Sequence, residues 1–418
     1  MILVYQVLSI ILLPFIAIYM IIRLFQKKET VQSLSQKFMI LSENRYVHQN
    51  KHVVWFHAAS IGEVNMVIPI IKIIINQRND IHCLVTTTTL TSAQIFKSRN
   101  IANTTHQFLP ADIRFLVNKF LIYWKPQVAI FIESEVWPNI IDITTRSIPM
   151  LLYNARLSHS SFQKWSQCKS FASNILQKFS LILVASNLDY IRFKAFTRHN
   201  LSFIGHFKYS SPSLSYSYKY VQVLKIKLKN RDILVGSSTH KGEEEMLIKA
   251  CLEAKRSIKN MFIIIIPRDP KRIKEVILIA RSYNINYITN MSDYNDSIDL
   301  LLVGDFSVLG NYFEVAEIVF VGGSLVNVGG HNIVEPAKQN CVVIVGPYTF
   351  NFYEIVDNLY KNNAIIIVQN PEELKERLVN VFSNVNNKNQ LIKNIKKVIH
   401  KEKNILEVAV NTIYTYLK

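Results

Sequence analysis

The chain has 418 residues, 49% of them apolar, and a formal charge of +18 at neutral pH. That length is too great for one ordinary core and calls for two domains of roughly 150–200 residues, while the apolar share excludes a disordered chain. The positive excess fits an anionic partner (nucleic acid, an acidic membrane face or a phosphorylated substrate), but the basic residues are spread thinly and also fit plain surface solvation. Cys83, Cys168, Cys251 and Cys341 stand alone, without a C-x-x-C, which fits a reducing compartment and argues against a cysteine zinc site.

From Ile2 to Ile22 there is no charge. The run matches the ~20 residues of a bilayer-spanning helix and lacks the basic start and small-residue cleavage site of a signal peptide. It predicts a membrane-anchor helix over residues 1–25, with an interfacial or buried helix as the alternative. Arg23, Lys27 and Lys28 follow at once, so the positive-inside rule puts the remainder on the cytoplasmic side.

After a polar connector to about Asn50, apolar strand runs alternate with helical stretches. Val53–His57, His82–Thr86, Val128–Glu133, Met150–Tyr153 and Leu181–Ala185 read as strands. A Ser- and Tyr-rich segment over 210–220 reads as a linker between domains 26–209 and 221–385. The pattern then restarts with Ile233–Gly236, Phe262–Ile266, Leu300–Val303, Ile318–Val321 and Val342–Val345, and Lys- and Asn-rich helices close the chain over 386–418. Buried strands alternating with helices predict an α/β fold of two Rossmann-like domains with parallel sheets. Ligands of such sheets bind beyond the carboxyl ends of the strands, so the residues just after each strand are the candidates.

The first strand leads into Ser60-Ile61-Gly62-Glu63, which places a carboxylate at a crevice as a potential general base. The same residues read as a helix start with Ser60 as N-cap and Glu63 three residues on, and both readings stand. Glu133-Ser134-Glu135-Val136-Trp137-Pro138-Asn139 sets two carboxylates after an apolar strand, again as site or cap. Asn154-Ala155-Arg156 lies at another strand end, and Lys208 sits near the domain junction.

In the second half, Gly236-Ser237-Ser238-Thr239-His240-Lys241-Gly242-Glu243-Glu244 offers backbone N–H groups and a helix start to an anion without being a Walker loop. Pro267-Arg268 ends a strand with a guanidinium suited to phosphate. The most distinctive stretch runs from Gly322 to Ala337, where paired glycines permit close approach of a ligand and Asn332 and Glu335 open a helix. No histidine spacing matches a metal site, so no metal is expected.

Taken in order, the turn at His57–Glu63, the run Glu133–Asn139, the segment Ser238–Glu244, Pro267-Arg268 and the Gly322–Ala337 stretch resemble the family of bacterial transferases that attach 3-deoxy-D-manno-octulosonic acid (Kdo) to lipid A precursors. The resemblance extends over nearly the whole chain. It implies a GT-B glycosyltransferase fold, with two Rossmann-like domains facing across a cleft. It implies CMP-Kdo as donor, no further cofactor, and metal-independent, inverting transfer. The implied acceptor is the tetra-acylated lipid A precursor (lipid IVA), and the implied place is the cytoplasmic face of the inner membrane, among its lipids. It further implies Glu63 as general base, and Glu133 and Lys208 as stabilisers of the transition state. Pro267, Arg268 and the run Asn332, Ile333, Val334 and Glu335 would bind the nucleotide. Two departures stand out. Where the family has Asp-Thr-x-Gly-Glu, this chain reads Asp305-Phe306-Ser307-Val308-Leu309-Gly310-Asn311, so that Ser307 and Val308 fall at the nucleotide-contact positions. The family's Pro-Arg-His-Pro-Glu-Arg reads Pro267-Arg268-Asp269-Pro270-Lys271-Arg272, which keeps the arginine. The rival readings are a GT-B transferase using a UDP-sugar, a catalytically silent scaffold and a nucleic-acid binder; no nucleic-acid module is present to support the last.

Overall fold

A computed structural model describes residues 2–40, 51–205, 207–210, 214–401 and 404–417. The chain forms two compact units: Met1–Ser211 with Lys403–Lys418, and Pro212–Glu402.

The first unit holds seven parallel strands: β1 (His52–His57), β2 (Ile81–Thr87), β3 (Thr104–Phe108), β4 (Val128–Ile132), β5 (Met150–Ala155), β6 (Leu181–Val184) and β7 (Leu201–Ser202). Their spatial order is β3-β2-β1-β4-β5-β6-β7. Val54, Trp55, Phe56, Ile130 and Phe131 are fully buried, because helices cover both faces and leave no side of the central strands wet. The chain runs outward from β1 to β3, then restarts at β4 on the other side of β1. That reversal opens a crevice beyond the ends of β1 and β4.

The second unit repeats the scheme with β8 (Asp232–Thr239), β9 (Met261–Pro267), β10 (Tyr287–Ile288), β11 (Leu300–Leu302), β12 (Ile318–Val321), β13 (Val342–Val345) and β14 (Ile366–Ile367). The order β10-β11-β9-β8-β12-β13-β14 puts its reversal between β8 and β12. The ten strands read from the sequence all form. The polar or very short strands β3, β7, β10 and β14 complete the sheets.

The N-terminal segment departs from a single anchor helix. It forms α1 (Ile2–Ile11) and α2 (Leu13–Phe25), bent by 56°. Pro14 is the cause: it has no N–H to give to the Ile10 carbonyl, and its ring crowds that carbonyl. Among the described residues no single helix is long and apolar enough to cross a membrane, although the bent pair together meets the length and composition. Helix α1 is also docked. Tyr5 donates to Asp112 (2.7 Å), Gln6 to Asp142 (3.1 Å), and Asn139 to the Ser9 hydroxyl (3.1 Å). Leu3, Val4 and Val7 stay exposed, as do Phe15, Ile18 and Ile22 of α2.

Two further helices of the first unit matter below: α3 (Val31–Lys37), capped by Thr30, and α4 (Ile61–Gln77), which follows β1. The closing helices, grouped in the sequence over 386–418, divide between the units. Val385–Lys401 belongs to the second, while Ile405–Tyr416 returns to the first and packs on α4. Ile405, Ala409, Val410 and Ile413 are buried there, and the Tyr153 hydroxyl donates to the Ala409 carbonyl (2.9 Å). Ile413→Ala is expected to destabilise the first unit by about 2–4 kcal/mol through lost burial and a residual cavity, measured as a lower denaturation midpoint. An unchanged midpoint would show that this return helix adds nothing to the core.

Candidate active site

At the carboxyl end of β1 the backbone turns through Ala58, Ala59 and Ser60 into α4. The Ser60 hydroxyl caps the helix by accepting from the Glu63 N–H (3.3 Å) and donates to Glu63 Oε1 (2.8 Å); the Ala59 N–H donates to Oε2 (2.7 Å). The cap reading holds, and the cap and the buried carboxylate are one device. Glu63 is 6% exposed. Burial pushes its carboxyl from an ordinary 4.5 up to about 7; the bonds from Ser60 and Ala59 pull it down, and the charges of Glu133 and Glu135 push it up.

Those two carboxylates come from the end of β4. Glu133 lies in the left-handed backbone region (φ 60°), as does Asn154 (φ 53°) at the end of β5. Such residues cost roughly 1–3 kcal/mol each and persist only where neighbours fix them. Here the Glu133 N–H donates to the Tyr153 carbonyl (2.9 Å), and the Asn154 amide donates to the Glu133 carboxylate (3.2 Å). Burial raises Glu135, but hydrogen bonding and attraction from His57 and a bond from the Trp137 indole outweigh it and hold the carboxyl below its usual value. His57 Nε2 lies 3.2 Å and Trp137 Nε1 2.7 Å from Glu135 Oε2. The first unit thus gathers three carboxylates at the sheet reversal, with Glu63 the one poised to take a proton near neutrality. Lys208 belongs to the short 3-10 helix Phe207–Ser210; its side chain lies outside the described residues.

The second unit builds its site on Glu243, the first residue of the helix Glu243–Ala254 after β8. Its buried carboxylate accepts from four backbone N–H groups: His240 (2.9 Å), Gly323 (2.6 Å), Ser324 (3.0 Å) and Leu325 (2.9 Å). This ties the turn after β8 to the glycine loop after β12. A Cβ on Gly322 would stand 2.5 Å from the Ser238 carbonyl oxygen, so a side chain there would part the two loops. His240 and His331 stack across the junction, with Nε2 atoms 2.8 Å apart and ring planes 5° from parallel.

Pro267 ends β9, and Arg268 follows it, exposed, with its guanidinium 4.6 Å from the centre of the Phe306 ring. Burial raises the Glu335 carboxyl, while a bond from Asn332 and the positive charges of Arg268 and Lys338 act against it; Arg268 also lowers His331. Arg268, His331 and Glu335 therefore share one electrostatic neighbourhood. Asn332 accepts from the Val334 N–H (3.1 Å), and Ile333 and Val334 are buried, so they shape this turn through the backbone. In the divergent loop, Asp305 accepts from both the N–H (2.8 Å) and the hydroxyl (2.7 Å) of Ser307. Val308 lines a cavity of about 400 Å³ beyond β11, with Asp305, Asn311 and Tyr312. The phenylalanine that breaks the motif is the ring on which Arg268 rests.

The sequence reading missed the roles of His57, Asn154, Glu243 and the His240–His331 pair, all inside motifs it quoted. It also missed Asp112, which follows the unrecognised β3. Among the described residues no group of three or more His, Cys, Asp or Glu side chains is placed to hold a metal ion.

A profile of the family described as 3-deoxy-D-manno-octulosonic-acid transferase (kdotransferase) matches residues 32–211. The 3-deoxy-D-manno-octulosonic acid transferase of Rickettsia typhi is 32% identical, with the match covering 100% of this chain and 100% of that protein. Its namesake in Haemophilus influenzae is 27% identical over 87% of each chain. Among solved structures, a glycosyltransferase from Rickettsia africae superposes with a TM-score of 0.60 at 12% identity, covering 88% of this chain and 99% of that one. The fold is the two-domain α/β fold of GT-B glycosyltransferases.

Glu63 has its folded pKa above its unfolded value, so it contributes full stability below about pH 4.5 and loses it as pH rises through about 7. The loss approaches an order of 3 kcal/mol, and Glu63→Gln removes it. The variant's denaturation midpoint should gain on the wild type from about pH 5 to about pH 8. A gap that stays constant with pH would refute the raised carboxyl.

Proposed function

Because this chain belongs to the 3-deoxy-D-manno-octulosonic acid transferase family and is a glycosyltransferase of that activity, we propose that CMP-Kdo is its donor and the tetra-acylated lipid A precursor its acceptor. Transfer is inverting and needs no metal ion. The observation that carries this reading is Glu63: a buried carboxylate, oriented by Ser60 and Ala59, whose pKa burial raises to about 7. A base of that pKa is both unprotonated and avid enough to accept a sugar hydroxyl's proton near neutral pH.

In this mechanism Glu63 takes the proton as the acceptor oxygen attacks the anomeric carbon of Kdo, and the bond from that carbon to the CMP phosphate breaks. Lys208 and the helix start after Ser238 stabilise the charge that grows on the departing phosphate. Arg268 supplies a guanidinium to the same phosphate, and its seat on Phe306 supports that role by limiting the orientations it must lose on binding. Pro267, Ser307, Val308 and the turn from Asn332 to Glu335 hold the nucleotide, and Glu133 steadies the acceptor side beside Glu63. The exposed apolar residues of α1 and α2, followed by Arg23, Lys27 and Lys28, support a place on the cytoplasmic face of the inner membrane.

Purified protein incubated with CMP-Kdo and the tetra-acylated precursor should yield a Kdo-bearing lipid by mass spectrometry, undiminished by a chelator, and CMP rather than UDP should inhibit. Glu63→Gln is expected to lower kcat by roughly a hundredfold or more with CMP binding retained, as loss of a general base requires. The wild-type kcat/KM should rise with pH through about 7 and level off above it, since the base acts unprotonated. Full activity in Glu63→Gln, or a rate falling through that range, removes Glu63 from the role.

A further inference from the structure

Two histidines meet over the glycine loop of the second unit: His240, in the turn after β8, and His331, at the far end of the loop after β12. Their Nε2 atoms are 2.8 Å apart, their ring planes differ by 5° and their ring centres are 5.1 Å apart. The distance between centres is the nitrogen separation plus a ring radius at each end. The two nitrogens therefore face each other along the line of centres in a near-linear hydrogen bond. Gly323 makes room for this contact: its backbone is left-handed (φ 68°), and a Cβ there would stand 3.2 Å from His331 Cδ2 and 3.4 Å from His240 Cδ2. Glu243 fixes the arrangement, since its carboxylate accepts from the backbone N–H groups of both His240 and Gly323.

That bond dictates a protonation pattern. One ring donates through Nε2–H and the other accepts through its Nε2 lone pair. In the neutral pair the accepting ring therefore carries its proton on Nδ1, and the donating ring has a bare Nδ1. Neither Nδ1 has a hydrogen-bond partner among the described residues, and both rings are only partly buried. The neutral pair thus offers a ligand one donor and one acceptor. A single added proton on the bare Nδ1 leaves the Nε2 bond intact and turns the pair into two donors with a positive charge, which suits an anion. Without an anion the surroundings oppose that proton. Burial, His240 and the positive charge of Arg268 after β9 hold His331 well below its ordinary value, at about 4. The other charges on the adjoining elements are Lys241 and Glu243 at the β8 turn, and Glu335 and Lys338 on the helix after the loop; Glu243 is committed to its four backbone donors. A phosphate at Arg268 offsets the repulsion of the guanidinium and adds an attraction of its own, and both changes favour the protonated pair.

We propose that His240 and His331 form a proton-taking arm of the nucleotide phosphate site: the pair is neutral in the empty enzyme and binds one proton from solvent as an anionic phosphate settles beside Arg268. The bare Nδ1 receives the proton, and two Nδ1–H groups are then available to the phosphate oxygens. Donor binding is thereby coupled to pH and is tighter on the acid side. The inference rests on the cytidine-nucleotide reading of the donor, and the test separates the two.

The probe is the methyl ester of CMP, a phosphodiester like that of a nucleotide sugar, whose charge does not titrate near neutrality. It is titrated by calorimetry into the full chain in detergent micelles. Heats measured in PIPES and in Bis-Tris, buffers of different ionisation enthalpy, give the protons exchanged on binding. About 0.5–1 proton should be taken up per ligand at about pH 6.5, and affinity should rise as pH falls from about 8.5 to about 6. His331→Gln and His240→Gln each keep a polar group able to bond near the Nε2 position but unable to ionise. Each should abolish the uptake, and its affinity deficit against the wild type should widen by roughly tenfold across that pH range. Wild-type heats that do not depend on the buffer would overturn the pair without recourse to any variant, and would leave the donor reading in place. Uptake that persists in both variants would assign the proton to another group, and a deficit equal at every pH would mark a purely structural contact; either result overturns the proposal. Failure of both the ester and CMP to bind at any pH would remove the donor reading along with it.

Discussion

Both units depend on the same element: a carboxylate set in the first turn of the helix that follows the sheet's first strand. In each sheet that strand borders the reversal point, so the carboxylate stands where two loops part and a ligand can enter. The two positions differ in how many donors they are given. Glu243 receives four backbone N–H groups, which fills the capacity of an ionised carboxylate. Glu63 receives one backbone N–H and one hydroxyl, and faces two further carboxylates. The fully bonded group is a fixed brace between the two loops. The half-bonded one retains lone pairs for a proton and has its affinity for that proton raised by burial. Burial raises both carboxyls, and equivalent topology thus yields a fully bonded brace in one unit and a carboxylate with free lone pairs in the other.

The strands flanking the reversals were legible because burial on both faces demands continuous apolar runs, as in Val128–Ile132 and Ile318–Val321. Strand β3 was not, because Thr104-Thr105-His106-Gln107 has no such run. It lies at a sheet edge, where His106 bonds to Thr87 and Gln107 to Trp124, so its polarity is met by side chains far away in sequence. Overlooking β3 also hid Asp112 just beyond it, the residue that receives Tyr5. The site motifs were legible as positions but not as partnerships. The Ser60–Glu63 spacing announced a capped turn, yet nothing local to Glu243 indicates that three of its four donors lie some eighty residues away.

The N-terminal segment shows a related limit. Its lack of charge satisfied the length rule for a spanning helix, and that rule weighs Gln6 and Ser9 only as slightly less apolar residues. In the structure they decide where the helix goes. Both are buried against the first unit with hydrogen-bond partners, an arrangement that lipid could not supply. The apolar residues left outside, including Val7 and Phe15, are those a membrane surface could cover. A bent, docked helix pair accounts for the polar and apolar faces together, whereas a straight apolar helix accounts for only one of them.

The acidic cluster of the first unit also has a cost that explains its surroundings. Three carboxylates at one sheet reversal repel one another, and each would tend to protonate. Glu135 escapes this through His57 and Trp137, whose donors keep it ionised despite burial. Glu133 is held by Asn154, and both residues accept a left-handed backbone to meet there. The charges of Glu133 and Glu135 add to burial, the larger effect, in raising the Glu63 carboxyl. His57 is itself anchored to Thr86 on the neighbouring strand, so the surroundings of Glu63 reach back into the sheet through hydrogen bonds between β1, β2 and the β4 turn. The strained backbone and the buried polar chain are thus parts of one arrangement around a carboxyl that burial raises first and two neighbouring charges raise further.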